Sequence, residues 1–167
     1  MARSFKTQLA GQIGESLVVA ELGRRGIVAT SFAGNVPDID LLAYANHISC
    51  HLQVKSWRNG SVQFDAKRFL EITFDGTRQI IGKIVEQMDD DLIFVFVKIG
   101  EIAGADRFFL LRQSDLQSII VANYGVWLGK HDGIRPRNPL TTHSAVQEDQ
   151  LAPFEGNWAL IVDRFAE

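Results

Sequence analysis

Residues 36–57 read VPDIDLLAYANHISCHLQVKSW, and this stretch decides the fold that the sequence predicts. It contains two short apolar runs, Leu41–Tyr44 and Ile48–Val54, which are joined by Ala45-Asn46-His47. Apolar runs of this length around a short polar connection are typical of two strands in a β-hairpin. We therefore predict an antiparallel hairpin at the centre of the protein.

The predicted hairpin brings three polar residues together. Gln53 and Lys55 share one face of the second strand, because side chains alternate between the two faces. Antiparallel pairing around the turn places Asp40 opposite residues 52–54. An unpaired charge is costly to bury, so a lysine beside a buried sheet indicates a function.

A carboxylate, an amide oxygen and an ammonium group suit metal-assisted phosphodiester hydrolysis. Oxygen ligands such as those of Asp40 and Gln53 are the ones that Mg²⁺ or Mn²⁺ prefers. The metal lowers the pKa of a bound water and offsets charge in the transition state. Lys55 would orient or deprotonate the attacking water, or neutralise the phosphate.

The spacing of these residues, Asp40 followed by twelve residues and then Gln53-x-Lys55, resembles the PD-(D/E)xK nuclease superfamily. Glutamine in place of the usual acid is similar to the Mrr-like restriction enzymes. The segments PDIDLLAY and LQVKS look more like the archaeal Holliday-junction resolvases. The resemblance covers residues 4–112. It implies an α/β fold, a restriction-endonuclease-like three-layer sandwich with a central mixed sheet flanked by helices.

Residues 4–25 predict an amphipathic helix, with apolar residues at intervals of four along one stripe. Gln12 and Glu15 share a different face of this helix. In the resolvase-like members of the superfamily, a glutamate on the first helix reaches the metal site, and Glu15 occupies the matching place. The resemblance therefore implies Glu15 as a catalytic residue and metal ligand with Asp40 and Gln53, and Gln12 as a supporting residue. A solvated helix residue is the alternative for Glu15.

Asp38 and Asp40 follow a predicted loop, residues 33–37. We predict Asp40 as the metal ligand because it directly precedes the apolar strand. Asp38 lies two residues before Asp40, outside the strand but on the same face, and we predict a supporting role for it. The alternative is that Asp38 is an ordinary turn residue.

A nuclease must also bind the phosphates of DNA. The net charge is −3, so the whole chain has no basic field and a DNA-binding face must be local. The candidates for such a face are the basic residues after Lys55, namely Arg58, Lys67, Arg68, Arg78 and Lys83. The alternative is that these scattered cations only keep the protein soluble.

The length of 167 residues predicts a single domain, with a core at about residues 4–125. A hydrophobic content of 46% argues for a folded globule. The single cysteine, Cys50, falls on a predicted strand and is expected to be a buried structural thiol. The sequence has neither a signal-peptide pattern nor an apolar run long enough to span a membrane, so we expect a cytoplasmic protein.

The second half of the chain predicts further elements of an α/β sandwich. Thr77–Met88 predicts a helix, Leu92–Ile99 and Arg107–Leu111 predict strands, and residues 114–121 predict another helix. Residues 129–157 have no clear periodicity and predict a long irregular excursion.

The function that this pattern predicts is a Mg²⁺- or Mn²⁺-dependent endonuclease acting on DNA. The alternative is a catalytically silent nuclease fold that binds nucleic acid or another protein, since a fold does not establish a function. An unrelated α/β enzyme is a weaker alternative, because no Gly-rich phosphate loop or nucleophile elbow is present. Enzymes of this superfamily commonly make two cuts with two sites, so a homodimer is expected.

Overall fold

A computed structural model describes residues 2–31, 38–86, 89 and 91–166 of the chain, and only the backbone of residues 2–7. The predicted loop at residues 33–37 lies outside these described residues, as do the last two residues of the helix predicted over 77–88. The strands are β1 (Val28–Ser31), β2 (Leu41–Ala45), β3 (Ile48–Trp57), β4 (Val62–Asp65), β5 (Leu70–Asp75), β6 (Arg78–Ile84), β7 (Ile93–Lys98), β8 (Arg107–Arg112) and β9 (His143–Val146). The α-helices are α1 (Ala2–Arg24), α2 (Gln113–Gly129), α3 (Glu148–Leu151) and α4 (Ala159–Val162).

The central sheet has five strands in the order β1-β2-β3-β7-β8. Strands β3 and β7 pair in parallel, and the other neighbours pair antiparallel. Strand β7 is buried along nearly its whole length, as expected for a strand that is covered on both faces. The predicted mixed sheet is therefore confirmed.

The predicted hairpin is β2–β3, and its turn fixes the register of the site. Asn46 and His47 form the connection with φ angles of 46° and 64°. Two positive φ values in a two-residue connection define a type I′ turn, whose twist matches that of paired strands. The resulting register places Leu41 opposite Leu52, so Asp40 lies beside the middle of β3.

Helices cover both faces of the sheet and give the predicted three layers. On one face Val18 and Leu22 of α1 pack with Leu52 and Val54 of β3. On the other face α2 packs against Phe94 and other aromatic residues of the core. Helix α1 ends in a Schellman motif, in which Gly26 has a φ of 76° and the amide of residue 27 donates to the carbonyl of residue 22.

The helix predicted over Thr77–Met88 is wrong. Residues 78–84 form β6, which pairs with β5 in a hairpin around Gly76. Ile80 and Ile84 have helical spacing, but they are 49% and 60% exposed instead of buried. β-Branched residues favour extended backbone, and the Asp75-Gly76-Thr77 connection is a turn signal between two strands.

The chain after residue 121 contains more regular structure than the sequence predicts. Helix α2 continues well past its predicted end at residue 121. Within the predicted irregular excursion at residues 129–157, β9 pairs with β4, and α3 follows it. Val146 and Leu151 are buried in the same core as the aromatic face of the sheet. This segment therefore packs on the protein over residues 143–151 and is not a tail there.

Among the described residues, no helix is both long enough and apolar enough to cross a membrane. Cys50 is buried at 1% exposure, as the sequence predicts, and burial raises the pKa of its thiol.

Candidate active site

Asp40 is fixed at the start of β2 by two hydrogen bonds to β3. Its backbone amide donates to the carbonyl of Leu52 at 2.9 Å. Its Oδ2 accepts from the backbone amide of Val54 at 2.7 Å. One carboxylate oxygen is therefore held by the sheet, and the predicted position of Asp40 beside residues 52–54 is confirmed.

Gln53 is the buried member of the candidate site. Its side chain is only 5% exposed, and its Oε1 has no hydrogen-bond partner among the described residues. Leaving a buried oxygen unsatisfied costs about 1–3 kcal/mol, and such a group calls for an explanation. An amide oxygen that is held ready for a ligand is one explanation, because this oxygen can coordinate a hard cation.

Lys55 lies two residues further along the same face of β3. Burial is the main effect on its ammonium group and lowers its pKa. Asp40 acts against this shift, while the guanidinium of Arg68 adds to it. The site therefore holds a lysine whose neutral form is more accessible than that of a solvated lysine.

Glu15, on α1, is the fourth residue of the candidate site. Burial raises the pKa of its carboxyl, and the charge of Asp40 raises it further, while Lys55 lowers it. Glu15 therefore lies within electrostatic range of Asp40 and Lys55. Asp40, Gln53 and Lys55 are grouped by the register of the β2–β3 hairpin, and Glu15 interacts with two of them through charge.

The close approach of α1 to β3 depends on Gly14. A Cβ atom at this position would lie 1.8 Å from Oγ and 2.7 Å from Cβ of Ser56. Real Cβ atoms do not come so close to other atoms, so only glycine allows this spacing between helix and strand. The sequence analysis missed the role of Gly14, although a glycine next to the candidate Glu15 inside a helix is a signal of close packing.

The two supporting residues lie in different environments. Asp38 has a φ of 69° and forms an ion pair with Arg68, whose charge acts on Lys55. Gln12 is exposed on α1, and its carbonyl accepts a hydrogen bond from Ser16. Asp38 thus connects to the candidate site through Arg68, whereas no contact of the Gln12 side chain with the site is seen among the described residues.

The predicted DNA-binding residues lie on several different parts of the fold. Arg68 is the member whose charge reaches Lys55. The ammonium of Lys67 lies 5.0 Å from the centroid of the Phe74 ring. Arg58 donates to the carbonyl of Gly100 at 3.3 Å, and Arg78 and Lys83 lie exposed on β6.

The candidate site offers a metal ion few ligands, but these ligands are oxygen atoms, which Mg²⁺ prefers. Within residues 2–31, 38–86, 89 and 91–166, no three His, Cys, Asp or Glu side chains are grouped so that they could hold a metal ion. A cation would therefore need the carboxylates of Glu15 and Asp40, the amide of Gln53, and oxygens from water or substrate. Mg²⁺ commonly binds in this way, through one or two carboxylates plus waters and phosphates.

The fold is similar to that of a solved protein structure. The solved structure of a bacterial homing endonuclease, I-Ssp6803I, matches 95% of this chain and 94% of its own with a TM-score of 0.55. The two sequences are 15% identical, so the likeness concerns the fold. No family model matches the chain, and no curated protein matches it.

Proposed function

We propose that the protein is a metal-dependent endonuclease that hydrolyses phosphodiester bonds of DNA. The observation that carries the proposal is the convergence of Glu15, Asp40, Gln53 and Lys55, with the Gln53 oxygen buried and unpartnered among the described residues. The nuclease fold of the protein supports the same function.

Glu15, Asp40 and Gln53 are proposed to hold Mg²⁺ or Mn²⁺. When bound, the metal supplies a water of lowered pKa and positive charge beside the scissile phosphate. The hydrogen bond from Val54 orients Asp40, so this ligand needs no rearrangement. An amide brings no negative charge, and we therefore expect weaker binding of the metal than at a site with three carboxylates.

Lys55 is proposed to contact the attacking water or the scissile phosphate. Its lowered pKa makes it a better proton acceptor near neutral pH than a solvated lysine. In its charged form it stabilises the negative charge of the transition state. Arg68, Lys67 and the other basic residues near the site are proposed to bind neighbouring phosphates of the substrate.

The test is cleavage of supercoiled plasmid and of branched DNA, with Mg²⁺ and separately with Mn²⁺. Asp40→Asn keeps an oxygen for the Val54 amide but removes the charge, and we expect it to abolish cleavage, as we do for Lys55→Ala. Asp75→Asn, at the exposed end of β5, is the matched control and should cut like the wild type. Metal-dependent cutting that survives both site substitutions would show that the site is elsewhere.

A catalytically silent nucleic-acid-binding or protein-interaction module is the second candidate function. The observation that favours it is the small number of acidic ligands among the described residues. Folded wild type that cuts neither substrate with either metal would support this second function. Two cuts require two sites, so we further propose a homodimer, which sedimentation velocity would test.

A further inference from the structure

A second cleft lies away from the four site residues, between α2, β9 and the residues that follow β9. Its volume is about 630 Å³, which is large enough for more than a single ion. Its walls combine apolar surface with cations and amides; they include Gln63, Val126, Trp127, Lys130, Arg135 and His143. Asp149, an acidic residue, also lines this cleft. We refer to it as the α2–β9 cleft.

Arg135 is held rigidly in this cleft. Its guanidinium carbon lies 4.5 Å from the centroid of the Trp127 ring and 5.1 Å from that of Tyr124. Its Nη2 donates to the carbonyl of His143, and its Nε is buried without a hydrogen-bond partner among the described residues. A guanidinium fixed by two rings loses little conformational freedom when it binds an anion, and its planar fork matches phosphate oxygens.

His143, which lines the α2–β9 cleft, is linked through Asp65 and Lys67 to Arg68 of the candidate active site. His143 is the partner of Asp65 in the β4–β9 pairing. The amide of Lys67 donates to Oδ1 of Asp65 at 3.0 Å, and the next residue is Arg68, whose charge acts on Lys55. The backbone thus links the cleft to Arg68, with the carboxylate of Asp65 between His143 and Lys67.

The charge of the whole protein makes the local cations Arg135 and Lys130 significant. The net charge is −3, so DNA has to be held by local groups of cations. Phosphate contacts position a protein on DNA without reading its sequence. The apolar walls of the α2–β9 cleft, Val126 and Trp127, suit the sugars between phosphates.

We propose that the α2–β9 cleft binds the phosphodiester backbone of the DNA that flanks the cleaved bond, through Arg135 and Lys130. This inference rests on the proposed function and adds a second contact region to it. The ligand is a phosphate flanked by sugars.

The experiment measures binding of the full chain to a fluorescein-labelled DNA duplex by anisotropy, in EDTA so that no cutting occurs. Each phosphate contact contributes about −0.9 to the slope of log K against log salt. Lys130→Ala should therefore flatten this slope by about 0.9, which makes the loss of affinity between about 50 and about 200 mM salt roughly 3.5-fold smaller than for the wild type. Arg135→Lys keeps the charge and should weaken binding with little change in slope.

Arg24→Ala is the matched control. Arg24 is an exposed cation at the end of α1, where it pairs with Glu21. A slope change in Lys130→Ala that is no larger than in Arg24→Ala would overturn the proposal, as would a wild type that binds no duplex. Lys130 is exposed, so this variant is informative even if Arg135→Lys does not fold.

The two proposals can fail separately. A slope change in Lys130→Ala without DNA cleavage by the wild type would support phosphate binding at the cleft and refute the nuclease. Cleavage by the wild type with an unchanged slope in Lys130→Ala would refute the cleft proposal alone.

Discussion

The close spacing between α1 and β3 can be tested by adding one methyl group at Gly14. In Gly14→Ala, the new Cβ would have to displace Ser56, whose own Cβ would lie only 2.7 Å away. This contact is with an atom bonded to the backbone, so a rotamer change cannot relieve it. The helix or the strand must move instead.

The magnitude follows from two opposing effects. Overpacking in a well-packed core costs about 1–3 kcal/mol. Alanine gains about 1 kcal/mol over glycine inside a helix. Gly11 lies in the same helix, and a methyl group there would have no other atom within 4 Å, so Gly11→Ala receives the gain without the cost. We expect Gly11→Ala to be more stable than Gly14→Ala by about 1–3 kcal/mol.

The assay is urea unfolding of wild type, Gly11→Ala, Gly14→Ala, Ser56→Gly and the double variant Gly14→Ala/Ser56→Gly. Removing the Ser56 side chain makes room for the methyl group, so the double-mutant cycle should give a favourable coupling of about 1–3 kcal/mol. Gly14→Ala should also lose cleavage activity, because it moves the neighbouring Glu15 away from Asp40. Equal stability of the two alanine variants, or no coupling with Ser56, would refute the proposed close contact.

Two further substitutions test the electrostatics of the site. Gln53→Met replaces the amide, whose Oε1 has no partner among the described residues, by an apolar side chain of similar size, so the free energy of unfolding should rise by about 1 kcal/mol while cleavage is lost. A lower stability in urea unfolding would mean that the amide is satisfied in the folded protein. The pKa of Glu15 is raised in the folded protein above its usual value of 4.5. The contribution of Glu15 to the stability of the folded protein is therefore complete below pH 4.5 and is lost as the pH rises through the folded-state pKa. Glu15→Gln should therefore be more stable than the wild type at pH 7, and the difference should disappear below about pH 4.5; a difference that is constant with pH would contradict this assignment.

Much of the candidate site could be predicted from the sequence because it depends on local rules. The turn at Asn46-His47 and the alternation of side chains along β3 are enough to place Asp40, Gln53 and Lys55 together. The first helix has apolar residues at intervals of four, so its existence and its end near Gly26 also follow from the sequence.

The missed features depend on contacts between distant segments. The isoleucines of β6 have a spacing that fits a helix, and only pairing with β5 decides that they are extended. Strand β9 has four residues, and its partner β4 lies about 80 positions earlier, with Val62 opposite Val146. A period-two pattern this short is not distinguishable from a loop without knowledge of that partner.

The pairing of β4 with β9 also has a consequence for how the protein is made. During synthesis, β4 leaves the ribosome long before β9 is made. The two strands can pair only after the roughly 80 residues between them have been synthesised. The α2–β9 cleft, which residues of both strands line, is therefore completed late in folding. Nascent chains would have their hairpin of candidate catalytic residues before they have the flank on which DNA is proposed to lie.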